Sequence, residues 1–205
     1  MPKAWIQDRK RDYYYKKAKQ EMYRSRAAYK LFEAIKRYHF IEYGDVVIDL
    51  GAAPGGWMQA ARKTVGNKGF VLGVDLKEIE PFLQPYVKTI ICDLTEPETV
   101  QQILEMLPRK ADAVISDASP NISGIWEVDH ARQLDLAQRA LEIALQTLRP
   151  SGSIFVKVFQ GDMFSDFLQK IKKNFESVTV VKPKASRPKS AEIYLLARGL
   201  KEQEV

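Results

Sequence analysis

The sequence predicts an α/β domain built on a doubly wound, mostly parallel sheet of seven strands, with one antiparallel strand and helices on both faces. Three observations carry that prediction. Short apolar runs alternate with helix-compatible stretches from about residue 25 to residue 198, the pattern of a parallel sheet wrapped by crossover helices. Four of those runs end in an aspartate, at Asp49, Asp75, Asp93 and Asp117, and folds of this kind bind ligands at the carboxyl ends of their strands. The last two β-rich runs, 177–181 and 193–197, are separated by a basic loop in place of a helix, which reads as a closing hairpin.

Residues 25–38 form the first expected helix, with Ser25 as its cap and Ala28, Leu31, Phe32 and Ile35 on one apolar face. Lys30 sits beside that face and points either into a cleft or along its edge. Val46, Val47 and Ile48 make the first strand, which runs directly into Asp49, Gly51, Ala52, Pro54, Gly55, Gly56 and Trp57. Good helix formers follow over residues 57–63, so the segment reads strand, tight glycine turn, helix. A dinucleotide site calls for G-x-G-x-x-G with bare amides closing on a pyrophosphate. Here the glycine spacing differs and Pro54 removes an amide from the loop. An acid beside a slim loop suits a compact nucleoside bearing a cationic group, and S-adenosylmethionine fits that description.

Residues 70–75 are the second strand, and its terminal Asp75 is placed to accept the ribose hydroxyls of a nucleoside, or else to serve as an ordinary strand-end acid. Residues 87–93 are the third strand and end in Asp93. A helix over 96–106 leads to the fourth strand, 111–117, whose Asp117 stands at the tip before a loop marked by Pro120 and Gly124. Residues 129–148 are helical, with Leu134, Ala137, Leu141, Leu145 and Leu148 as a core stripe. Arg149, Pro150 and Gly152 stop that helix ahead of the fifth strand, 153–159, which contains a single charge, Lys157. An unpaired buried ammonium is costly, so Lys157 either reaches water from an edge or has partners. A helix over 162–174 and the closing hairpin complete the domain, and Glu192 enters the last strand.

At 205 residues the chain has the size of one domain. No apolar run is long enough to span a bilayer, and the start lacks the apolar core of a signal peptide. The single cysteine, Cys92, lies in an apolar run and reads as core packing in a reducing, cytoplasmic compartment. The two histidines, His39 and His130, make no metal-spaced set with it, so no metal is expected. The net charge of +6 is concentrated: residues 1–40 carry twelve basic and four acidic side chains, leaving the rest of the chain slightly acidic. Residues 1–24 therefore read as a basic arm interleaved with Trp5, Tyr13, Tyr14, Tyr15 and Tyr23, residues 25–200 as the domain, and 201–205 as a tail. Such an arm either contacts RNA through phosphates and bases or lays its tyrosines on the domain. The loop over 182–190 is a second basic candidate for RNA contact.

The D-x-G-x-x-P-G-G-W motif from Asp49 to Trp57 resembles the first motif of the FtsJ (RrmJ-type) ribose 2′-O-methyltransferases. Four further blocks extend the resemblance in the right order: R-S-R-A-A-Y-K at Arg24, S-D-A-S-P-N at Ser116, V-K-V-F-Q-G at Val156 and S-A-E-I-Y at Ser190. The resemblance implies a Rossmann-like methyltransferase fold and a catalytic tetrad of Lys30, Asp117, Lys157 and Glu192. It also implies an S-adenosylmethionine site formed by Asp49, Gly51, Ala52, Pro54, Gly55, Gly56, Trp57, Asp75, Leu76, Asp93, Leu94 and Asp117. The implied reaction is methylation of a ribose 2′-hydroxyl in structured RNA, with a uridine of large-subunit ribosomal RNA, within the large subunit, as the expected target. Related enzymes act on tRNA, which is the alternative substrate; a non-catalytic RNA-binding assembly factor is the alternative of another class. A nucleophile elbow and a P-loop are both missing from the sequence.

Lys157 is the expected proton acceptor. An ordinary lysine, with a pKa near 10.4, loses its proton at neutral pH only at a cost of roughly 4.6 kcal/mol. A charged Lys157 that orients the hydroxyl while Asp117 receives the proton is therefore a second role, and a charge-balanced tetrad leaves both open.

Overall fold

A computed structural model describes residues 13–187 and 190–202. The strands are β1 (Val46–Leu50), β2 (Phe70–Asp75), β3 (Val87–Ile91), β4 (Ala111–Ser116), β5 (Leu148–Phe159), β6 (Phe175–Val181) and β7 (Glu192–Leu200). Among the described residues they form one seven-stranded sheet in the order β3-β2-β1-β4-β5-β7-β6. The β1 pairings with β2 and β4 are parallel, as are β2 with β3 and β4 with β5, while β7 runs antiparallel to both β5 and β6. The expected antiparallel strand is thus the last one, inserted between two older neighbours.

The helices are α1 (Tyr13–Gln20), α2 (Ala28–Tyr38), α3 (Gly56–Val65), α4 (Thr99–Met106), α5 (Trp126–Thr147) and α6 (Phe164–Asn174). They cover two faces, and the period of two along each strand decides which side chain meets which layer. In β1, Val46, Ile48 and Leu50 pack with α4, α5 and α6 side chains such as Ile103, Leu141 and Ile171, whereas Val47 packs with α2 and α3 side chains such as Leu31 and Ala61. The same parity runs across the sheet. Ala113 and Ile115 of β4, Phe155 of β5 and Tyr194 and Leu196 of β7 all belong to the α2/α3 face.

Several local expectations change. Ser25 is not a helix cap: α2 starts at Ala28 with Ala27 in the capping position and no side-chain cap. Strand β3 ends at Ile91, two residues before Asp93, because the Asp93 carboxylate folds back on Thr95, accepting from its amide at 2.9 Å and its hydroxyl at 2.7 Å. Helix α5 begins at Trp126 rather than Asp129. Asp129 lies in its first turn and accepts from the Ser123 amide and hydroxyl and the Gly124 amide at 2.7–3.0 Å, which pins the loop after β4 to the helix start. The 149–152 turn is an irregularity in β5, where the register against β4 shifts between Ala111 and Ala113.

The amino-terminal ends of β1, β4 and β5 are tied together by one carboxylate. Asp112, buried, accepts from the Val46 amide at 2.7 Å, from Arg149 at 2.6 Å and from Arg109 at 2.7 Å. Burial alone would raise this carboxyl, but the two arginines and the Val46 amide outweigh it and hold it below the usual value of 3.8. Its stabilisation is therefore complete above the unfolded value and lost as pH falls through the lower folded value. Asp112→Asn should cost about 2 kcal/mol at neutral pH and remove part of the acid-side slope of stability, as read from urea unfolding at several pH values.

Helix α1 lies on the domain. Ala18 is buried against Tyr29 and Ala185, and Tyr14 and Tyr23 pack edgewise or tilted on Tyr29 at 5.5 and 5.6 Å. Residues 1–12, which hold Trp5 and much of the basic arm, lie outside the described residues, as do 188–189 and 203–205. Among the described residues no helix is long and apolar enough to cross a membrane, and no cluster of His, Cys, Asp or Glu is arranged to hold a metal ion.

Candidate active site

The parity of the sheet builds the site. Asp117 follows β4 with the same alternation as Ala113 and Ile115. Lys157 is two residues beyond Phe155 in β5, and Glu192 two before Tyr194 in β7. Because β7 is antiparallel, its first residue lies at the carboxyl end of β5, with Glu192 opposite Phe159 and Tyr194 opposite Lys157. All three side chains therefore emerge on the α2 face, where Lys30 comes down from the first turn of α2.

The four charges form one connected group. Lys30 Nζ lies 2.7 Å from Glu192 Oε1 and 3.9 Å from Asp117 Oδ1, and Lys157 Nζ lies 3.1 Å from Asp117 Oδ1. Lys157 also donates to the Asp117 carbonyl at 2.7 Å. That settles how a lysine lives in a central strand: it is 5% exposed, and Asp117 supplies both of these acceptors. Lys30 points into the cleft, not along its edge. Burial would raise the Asp117 carboxyl, but Lys157 and Lys30, with hydrogen bonds from Tyr194 and Lys157, hold it below the ordinary carboxylate range.

Tyr194 was not singled out by the sequence, although it stands two residues from Glu192 on a strand, a spacing that puts both on one face. Its hydroxyl donates to Asp117 Oδ1 at 2.8 Å and accepts from Lys30 at 3.0 Å. Burial, and then the charges of Asp117 and Glu192, push its own ionisation well above the usual 10, so it acts as a fixed donor. Ser186, from the β6–β7 loop, donates to Glu192 Oε1 at 2.9 Å.

The second part of the site is the corner after β1. A cleft there is lined by Ser25, Ala27, Asp49, Gly51, Ala52, Ala53, Pro54, Gly56, Trp57 and Asp117. Gly51 has φ +75°, and a Cβ on it would stand 2.6 Å from that of Ala118; only glycine allows the loops after β1 and β4 to meet here. A Cβ on Gly56 would collide with Ser25 Oγ, so Ser25 serves close packing on α3. Trp57 donates to the Ala27 carbonyl at 2.8 Å and stacks on Phe155, bracing the segment that leads to Lys30.

Asp49 is fully buried, and neither carboxylate oxygen has a partner at hydrogen-bonding geometry. Burial foremost, then the charges of Asp117 and Asp75, push its carboxyl well above the usual value, and the Met58 amide gives only partial relief. A buried carboxylate without a partner is matched by a cationic ligand group. Asp75 accepts from the Ala53 amide and the Lys77 amide, each at 2.9 Å, which shapes the loop and leaves further lone pairs for a hydroxyl. Gly55 flanks the corner beneath Arg24. Leu76 is exposed, Asp93 Oδ1 accepts from Thr95 and Leu94 packs its side chain in the core of the opposite face; like Gly55 and Asp75, these three are not among the residues that line this narrow cleft.

Arg24 is a second residue the sequence did not single out by role. Its side chain donates to the carbonyls of Pro54, Glu80 and Pro81 at 3.4, 2.6 and 3.2 Å and covers the Phe82 ring at 4.1 Å. It fastens the chain ahead of α2 to both loops of the corner.

The sheet order, the single antiparallel strand and the glycine corner define an enzyme of the Rossmann-like methyltransferase class. The chain belongs to the FtsJ-like methyltransferase family, whose model matches residues 23–200. It is 50% identical over 199 residues to the ribosomal RNA large subunit methyltransferase E of Methanocaldococcus jannaschii, covering 96% of this chain and 81% of that one. It is 54% identical over 190 residues to the protein of the same name from Methanothrix thermoacetophila, covering 93% of this chain and 73% of the relative. A crystal structure from Plasmodium falciparum, provisionally described as a ribosomal RNA methyltransferase, matches with a TM-score of 0.79 at 28% identity, over 88% of this chain and all of that one.

Proposed function

We propose that this protein transfers a methyl group from S-adenosylmethionine to the 2′-hydroxyl of a ribose, in a uridine of large-subunit ribosomal RNA. The observation that carries the reading is a pair of clefts meeting at the charged group. The corner cleft ends at Asp117 and Ala27; a second, open cleft of about 250 Å³ also meets Ala27 and is lined by Arg26, Lys30, Arg187, Ser190 and Glu192. Its polar and basic walls suit a nucleotide. The names of the curated relatives favour large-subunit ribosomal RNA as the source of that nucleotide.

When bound, S-adenosylmethionine supplies a methyl group on a positively charged sulfur. The buried Asp49 carboxylate fits its cationic portion and Asp75 its ribose. Lys157, with two N–H groups held by Asp117, has one position left to meet the incoming 2′-oxygen and hold it in line, where proximity contributes much of the rate. Asp117, whose carboxyl the charges of Lys157 and Lys30 hold below the usual range, fixes Lys157. Glu192 and Tyr194 fix Lys30 beside it. A Lys157 amine that has first shed its own proton would take the hydroxyl proton on its lone pair; a Lys157 that stays charged would orient the hydroxyl while Asp117 receives the proton.

The test is transfer of labelled methyl to ribose-unmethylated large ribosomal subunits, to free ribosomal RNA and to tRNA in parallel. Label mapped to a 2′-oxygen of ribosomal RNA supports the reading; label on tRNA alone replaces the substrate; no label on any of them, with cofactor bound, overturns the assignment. Asp75→Ala should weaken S-adenosylmethionine binding about tenfold or more, because both the ribose acceptor and the Ala53 tie are lost. Unaltered affinity by calorimetry would remove Asp75 from the site.

A further inference from the structure

The segments that follow β4 and β5 leave Ile122, Ile125, Trp126 and Met163 exposed, and the methyl transfer described above uses none of them. Trp126 is 46% exposed, yet its plane is fixed by the fold. The ring lies 15° from the plane of His130 and 18° from that of Phe159, with centroids 5.5 and 6.0 Å apart. His130 is buried, and its Nε2 donates to the Phe159 carbonyl at 3.2 Å. Gly161 lets the chain after β5 close on this imidazole, since a Cβ there would stand 2.7 Å from it. Further along α5, Gln133 donates to the Ala118 and Lys157 carbonyls at 3.2 Å each. The helix that presents Trp126 is therefore tied to the ends of both strands that supply Asp117 and Lys157.

Resting on the RNA methyltransferase reading above, we propose that Trp126 stacks an unpaired base at or beside the target nucleotide and so holds the acceptor strand in register with Lys157. Phe159, against which Trp126 lies, is two residues beyond Lys157 in β5, roughly 7 Å along the strand. A base is bonded to the carbon next to the one that bears the 2′-oxygen, so a ribose presented to Lys157 has its own or its neighbour's base at about this reach. Residues 118–131 and 158–169 hold no lysine or arginine, and Glu127 and Asp162 are exposed among them, so this surface does not draw phosphates. The part of an RNA that it fits is the uncharged face of a base, which aromatic side chains take in single strands. Asn121 and Gln160, exposed in the same two segments, add amides, whose paired donor and acceptor match a base edge. Trp126 lines neither the corner cleft nor the cleft of Lys30, so donor binding is independent of it.

The experiment couples Trp126 to single bases. Methyl transfer is followed on whichever large-subunit substrate accepts label, particle or free RNA, by the full chain and by Trp126→Ala, Trp126→Leu and Trp126→Phe. The alanine and leucine variants should each lose about tenfold or more in kcat/KM, mostly through KM, while the phenylalanine variant keeps most of the activity. S-adenosylmethionine affinity should be unchanged in all three. After the methylated nucleotide is mapped, the RNA is rebuilt by ligation with an abasic ribose at the target or at a nearby nucleotide on either side, one position at a time. Where the particle is the substrate, that RNA is reassembled with the subunit proteins. At one position the wild type should fall to the level of Trp126→Ala, and the variant should fall little further. A leucine variant as active as the wild type, beside an impaired alanine variant, would replace the base by an apolar protein contact and so overturn the stack. Full activity of the alanine variant, or losses that multiply at every abasic position, would overturn it while leaving the methyltransferase reading intact. A wild type that labels no RNA would instead overturn the reading on which the stack rests.

Discussion

Lys157→Ala is expected to lower methyl transfer by at least about a thousandfold while leaving S-adenosylmethionine affinity within about twofold of the wild type. The asymmetry follows from position. Lys157 touches Asp117 twice but does not line the corner cleft with Asp49, so the donor side keeps its groups. The fold should persist, because Asp117 retains Lys30 at 3.9 Å and the Tyr194 hydroxyl at 2.8 Å. Single-turnover transfer and calorimetric titration give the two readings on one preparation. A large loss of cofactor binding would contradict the assignment. The pH dependence of the wild-type single turnover separates the two roles of Lys157. A base that must first shed its proton gives a rate that climbs about tenfold per pH unit until it is deprotonated. A charged orienting group gives a plateau that falls when its proton is lost.

Asp49→Asn should act in two opposed directions. In the free protein the buried carboxylate has no partner at hydrogen-bonding geometry, and burial together with Asp117 and Asp75 raises its pKa well above 3.8. The unfolded chain gives up this proton at lower pH than the folded one. Its contribution to stability therefore declines as pH rises from the ordinary carboxylate range toward the folded value, opposite in sign to that of Asp112. Removing the charge should stabilise the cofactor-free protein by about 1–2 kcal/mol at neutral pH, or roughly 2–8 °C in melting temperature for a chain of this size. Affinity for S-adenosylmethionine should fall by about tenfold or more, since a cation that answered the carboxylate is left with an amide. A thermal melt with and without cofactor reads both effects; a variant that melts lower than the wild type and still binds would refute this role for Asp49.

Fold and site were legible to different depths. Seven strands, their order of appearance and the antiparallel last pair follow from where apolar runs, helix formers and turn residues alternate. The corner after β1 was visible because its acid and glycines are contiguous in sequence. Lys30, Asp117, Lys157 and Glu192 were named through family resemblance, and parity explains why they meet. What contiguity does not reveal was missed. Ser25 looked like a cap, but α2 starts at Ala28, and Ser25 instead packs against Gly56. The third strand looked as if it ran to Asp93, but it ends at Ile91. Tyr194 and Arg24 were passed over because each works across thirty residues of chain or more, Tyr194 on Lys30 and Asp117, Arg24 on Pro54, Glu80 and Pro81.

The sequence by itself determined the layer architecture, since hydrophobic periodicity and turn chemistry are local and repeat along the chain. It determined the glycine corner as well, because backbone freedom there is a property of the residues in place. Only the tertiary structure decided which charges are paired, that Asp49 stays buried and unmatched, and that Arg26 and Arg187 share one cleft with Lys30. Those outcomes depend on distance and desolvation between segments up to about 160 residues apart, and interactions of that kind exist only once the sheet has brought its strand ends together.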